Sequence, residues 1–182
     1  MAIRDDATVK LILADYISVD AGNKLNALGV GWTVSGVQAN GFTVQQYLAV
    51  LVDVPSTYVG QEFALEIDLF DETAGSVAQV PGPLGASGSL EAMRIGQLAK
   101  VEPPLAPGAY LPPTMFSRTQ ALLGFQSGLP LTPGHLYAWR VSIDGEGRRD
   151  WVARFLVAGA PPPPVFGGLA GPSDIPNPPA LS

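Results

Sequence analysis

The stretch His135-Leu-Tyr-Ala-Trp-Arg-Val-Ser-Ile143, Asp144-Gly-Glu-Gly-Arg-Arg149, Asp150-Trp-Val-Ala-Arg-Phe-Leu-Val157 decides how this chain folds. Tyr137, Trp139, Val141 and Ile143 alternate with Ala138, Arg140 and Ser142. Trp151, Ala153, Phe155 and Val157 alternate with Val152 and Arg154. A period of two puts each set on one face of a strand. The linker 144–149 holds Gly145 and Gly147 among charged residues, which predicts an exposed hairpin loop. Trp139 and Trp151 both fall on apolar faces, so this hairpin is expected to nucleate the core.

Working outward, the same signal recurs in short pieces. Val9–Ala14 is an apolar run of strand length. Asp20-Ala-Gly-Asn23 is a turn, because Gly and Asn tolerate positive φ and Asp bonds its own backbone. Gly29 and Gly31, inside the segment 25–34, predict a bulge or a close backbone approach. Val44–Val54 is apolar almost throughout, which fits a strand buried on both faces or a short helix, since periodicity alone does not separate them. Glu62–Phe70 points Phe63, Leu65, Ile67 and Leu69 inward and Glu62, Glu66 and Asp68 outward. Val77–Val80, Ser89–Ile95 and Thr114–Phe125 are further strand candidates, and Met1–Asp6 is a polar lead-in. The segment 102–113 holds five prolines and favours extended backbone without ladder bonds. No window sustains a helical period. Eight or nine short strands with Gly/Pro turns predict an all-β fold, an antiparallel β-sandwich with Greek-key-like connections spanning residues 1–160.

Composition sets further bounds. The chain has 182 residues, enough for one domain with a proper core. Apolar residues make up 47%, and no run approaches the roughly 20 residues of a membrane span. The start lacks an apolar segment, so no signal peptide is expected. Net charge is −6 with three lysines, which argues against nucleic-acid binding. With no cysteine and one histidine, thiolate and multi-histidine metal sites are excluded, and no cofactor is expected.

Candidate chemistry is sparse. Glu66 and Asp68 share a strand face, as the two carboxylates of a glycosidase do, but fit an ordinary solvated face. Asp144-Gly-Glu-Gly lacks the ligand spacing of a calcium loop and reads as a turn. His135 has no nucleophile motif beside it and reads as structural. Gly29-Val-Gly31 is followed by neither helix nor lysine, so it is no phosphate loop. Arg148 and Arg149 read as a small solvated tip. Trp32, Trp139 and Trp151 read as core rather than sugar platforms. No catalytic set emerges.

The C-terminal stretch 161–182 differs in kind. It holds eight prolines, three glycines and one charge, Asp174, and can form neither helix nor central strand. Its Pro161–Pro164 run suits a spacer or a polyproline ligand. Val165, Phe166, Leu169, Ile175 and Leu181 dot it as single apolar anchors, the pattern of an extended arm that grips a partner.

Lys10-Leu-Ile-Leu-Ala-Asp-Tyr-Ile-Ser-Val-Asp20, Lys24-Leu-Asn-Ala-Leu-Gly-Val-Gly-Trp-Thr-Val34 and Tyr137-Ala-Trp-Arg-Val-Ser-Ile-Asp-Gly145 together resemble a small uncharacterised family (DUF6941-like) of actinobacteria and their tailed phages. The resemblance covers roughly residues 8–158 and brings no catalytic residues. It implies a virion role. The expectation is a non-enzymatic structural protein of a phage particle, assembled in the host cytoplasm, such as a decoration, minor capsid or stabilising protein. Its partners would be the major capsid protein, other virion proteins or copies of itself, with neither nucleic acid nor membrane involved. The alternative is a β-sandwich module binding a small ligand or carbohydrate, with Trp32 or Tyr110 lining a cleft.

Overall fold

A computed structural model describes residues 2–82, 89–103, 112 and 114–159. Within them the chain runs through a helical turn α1 (Ile3–Asp6), then β1 (Thr8–Ala14), β2 (Tyr16–Val19), β3 (Leu25–Leu28), β4 (Val34–Ser35), β5 (Gln46–Pro55) and β6 (Glu62–Asp71). It continues with β7 (Ser76–Val77), β8 (Gln79–Pro81), β9 (Leu90–Ala92), β10 (Arg94–Lys100), β11 (Phe116–Phe125), β12 (Leu136–Ile143) and β13 (Glu146–Val157). The fold is the expected all-β sandwich. Its smaller sheet has the order β1-β5-β11 and its larger one β10-β6-β12-β13-β4, with β7 beside β6. The chain changes between these two sheets from β4 to β5, from β5 to β6, from β10 to β11 and from β11 to β12.

Alternation builds the core as anticipated. Phe63, Leu65, Ile67 and Leu69 of β6 and Trp139, Val141 and Ile143 of β12 are buried against Leu48, Val50, Val52 and Val54 of β5. Trp139 stacks on Phe125 of the opposite sheet, with ring centroids 5.4 Å apart. Phe155 stacks on Tyr137 at 5.9 Å and meets Trp32 edge-on at 5.6 Å. Full burial of Trp139 and Trp151 withdraws surface worth about 4–6 kcal/mol of transfer free energy apiece.

The double burial of β5 has a specific cause. The β2–β3 hairpin covers its outer side, closing Ala49 with Ala14 and Ile17 beneath Leu25, Ala27 and Tyr47. Gly29 follows that hairpin at φ 65°, and what a Cβ there would meet is the Asp15 side chain, 2.0 Å away at Oδ2, rather than another backbone.

Several boundaries differ from the sequence reading. The 144–149 loop is only a two-residue turn, with Asp144 at φ 52° and Gly145 at φ 80°, which match the twist of the flanking strands. Asp144 is held in that geometry by β6: its Oδ1 accepts from Ala64 N–H at 2.9 Å, and its N–H donates to Ala64 O at 2.8 Å. Arg148 and Arg149 therefore belong to β13. The candidates 77–80 and 89–95 each divide between two strands, raising the number among the described residues to thirteen. The sheet is not wholly antiparallel, since β4 runs parallel to β13. The lead-in contains α1, where buried Ile3 outweighs the polar neighbours. Tyr58 Oη donates to Asp6 Oδ2 at 2.5 Å and anchors that turn. The 161–182 arm lies outside the described residues, as does most of the Pro-rich segment 102–113.

Trp139→Ala should destabilise the domain by about 3–5 kcal/mol in urea unfolding. The Tyr58 phenol is pushed up to about 12 by its hydrogen bond to Asp6 and by burial. A raised folded value means its contribution is complete below the unfolded pKa near 10 and is lost as pH rises toward about 12. Absorbance titration at 295 nm should show a late tyrosine that Tyr58→Phe removes.

Candidate functional site

The alternation that sends Trp139 and Phe155 inward sends Arg140 and Arg154 to the outer face of the larger sheet. Arg94 of β10 joins them, in register with Asp68 of β6. The β12–β13 ladder breaks between the pairs Arg140↔Val152 and Ser142↔Gly147. Gly147 and Val152, five residues apart, would occupy opposite faces of a regular strand, yet both line the outer surface. A β-bulge absorbs the mismatch and presents Arg148 and Arg149 to the same place.

The result is a shallow groove of about 630 Å³, lined by Arg94, Arg140, Arg148, Arg149 and Arg154 against Glu66 and Asp68. The chain has only seven arginines and a net charge of −6, so the groove inverts its overall sign. Arg140 grips Asp68 as a fork, Nε–Oδ1 2.9 Å and Nη2–Oδ2 3.3 Å, and lies 3.7 Å above the Phe70 ring. Arg94 Nη2 stands 4.0 Å from the same carboxylate. Arg154 Nε donates to both Glu72 oxygens at 2.9 and 3.1 Å. Arg148 pairs with Asp150 at 3.4 Å. Arg149 is exposed, and its side chain has no ion pair or hydrogen bond among the described residues. Guanidinium groups match carboxylate or phosphate oxygens two at a time.

An apolar row closes one end of this face. Leu136, Leu156 and Val34 stand side by side in register and are 37%, 39% and 53% exposed.

Glu66 and Asp68 lie on the outward face of β6, as expected, where they line the groove and Asp68 is half-buried beneath Arg94 and Arg140. Arg148 and Arg149 are likewise part of a groove rather than a loop tip. The signal that could have found it was the concentration of arginine on outward positions, but the joining of β10 to β6 and the bulge are tertiary facts. Trp139 and Trp151 are core, while Trp32 is half-buried. No group of three or more metal-ligating side chains occurs among the described residues. Val165, Phe166, Leu169, Ile175, Leu181 and Tyr110 lie outside them.

His135 Nδ1 sits 2.7 Å from Asp71 Oδ2, and Asp71 Oδ1 accepts from the N–H groups of Thr73 and Ala74. This couples the β6–β7 turn to the start of β12. Burial acts to raise the Asp71 carboxyl, but the hydrogen bonds from His135 and Ala74 outweigh it and hold the group below its usual range. A depressed folded value gives stability that is present above the unfolded pKa near 4 and lost as pH falls through the folded one. Asp71→Ala should cost about 2 kcal/mol at neutral pH, and urea midpoints measured from pH 7 to 3 should fall less steeply for the variant.

No protein-family model matches the chain, and no curated protein matches it.

Proposed function

We propose that the chain is a non-enzymatic structural protein of a tailed-phage particle, associated with the capsid as a decoration, minor capsid or stabilising protein. Its particle context comes from the sequence resemblance alone. The observation that supports a binding role is the row Leu136, Leu156 and Val34. Single apolar residues on a surface need no explanation, whereas neighbours aligned across three strands mark a surface that gains by being covered. Covering what remains exposed contributes about 1 kcal/mol per side chain. The row ends at the two-residue edge strand β4, and a sheet edge is where a neighbouring chain can add. Major capsid protein and sister copies are the partners of choice, with the 161–182 arm adding anchors.

A second reading, a ligand- or carbohydrate-binding module, draws on Trp32, which lines a shallow depression with Val30 and Arg154. The ring meets Phe155 edge-on and is half-buried, whereas sugar stacking needs an open flat face.

Mass spectrometry of purified particles should find the protein at a constant ratio to the capsid subunit. Leu156→Glu and deletion of 161–182 should each lower that ratio severalfold. Absence from particles, or full occupancy by both variants, would sink the proposal. Glycan binding abolished by Trp32→Ala would favour the second reading instead.

A further inference from the structure

We infer that the arginine groove receives a short carboxylate-rich segment of a partner polypeptide. This stands on the groove's own geometry and goes beyond the particle reading, because it holds in any assembly the chain joins.

Charge is the first argument. Five arginines face two carboxylates in the lining, with Glu72 and Asp150 pairing two of them from its margin, so the cations still outnumber the anions there in a chain whose net charge is −6. The cations also differ in readiness. Asp68 and Glu72 hold Arg140 and Arg154 in place, so their guanidiniums lose little freedom when a ligand arrives. Arg149 is exposed and uncommitted among the described residues. Arg148 lies over the Trp151 ring, 5.3 Å from its centroid, and its exposed pair with Asp150 is worth too little to resist exchange for a better partner.

Span is the second argument. Arg94 on β10 and Arg154 on β13 are separated by three strand intervals, about 14 Å at the usual spacing. One small anion cannot bridge that distance, while an extended peptide covers it with about four residues.

Extent is the third. A nucleic acid carries its charge beyond any one groove and needs a basic footprint along its length. Outside this groove the chain is acidic in balance, and like charges within a Debye length of about 8 Å repel. A peptide can confine its charge to the groove. The neighbouring row Leu136, Leu156 and Val34 would take apolar residues of the same segment.

Fluorescence anisotropy with a short labelled peptide alternating glutamate and glycine tests this on the full chain. The expected result is saturable binding that weakens with salt, absent for the glutamine counterpart. Arg148→Glu with Arg149→Glu should weaken it about tenfold or more, and Arg149→Gln alone should weaken it measurably without touching the core. Arg118→Gln, on the other sheet, should change nothing. Equal binding of the glutamine peptide, indifference to the groove variants, full competition by inorganic phosphate at matched charge, or tighter binding of single-stranded oligothymidylate would each overturn the inference.

Discussion

Everything in this molecule depends on the burial of one aromatic face. Trp139, Trp151, Tyr137 and Phe155 project from the β12–β13 hairpin into the space between the sheets. Fixing strand backbone costs about 1–2 kcal/mol per residue, and large rings recover more per position than any other side chain. The Trp139–Phe125 stack ties the two sheets directly, so their packing and the hairpin's register are set together. A slip of one residue would turn every ring to water.

That commitment also shapes the surface. With odd-numbered positions of β12 pledged to the interior, Leu136, Arg140 and Ser142 have only the outer face left. On β13 the bulge rescues the inward direction of Trp151 while Gly147 and Val152 stay outside. The groove is therefore a by-product of core parity, then furnished with arginine. Exposed ion pairs contribute about 0–1 kcal/mol, so stability does not account for placing five arginines there. The forks on Asp68 and Glu72 act on position instead: they hold charge at defined points of a rigid sheet. This is how a binding surface is kept ready.

Smaller devices register the remaining parts. Asp144 hooks the hairpin turn onto β6, His135 and Asp71 join the ends of β6 and β12, and Tyr58 secures α1. Each uses one polar group to satisfy backbone or a second side chain at a seam between elements. Each joins residues more than fifty positions apart.

The fold class was legible in the sequence because alternation is local: a period of two in 62–70, 136–143 and 151–157 states which side of a strand faces the core, whatever the strand's neighbours. The unbroken apolar run of β5 allowed a doubly buried strand or a short helix, and the covering β2–β3 hairpin decided for the strand. The groove was not legible. Arg94 lies far from Arg140 and Arg148 in the chain, and only the pairing of β10 with β6 and of β6 with β12 brings it to their face. The loop expected at 144–149 shrank to two residues because ladder bonds from β12 continue past glycine once the partner strand is present. Local pattern determined what each strand must bury; strand order and register, set by packing across the whole domain, decided which charges met on its outside.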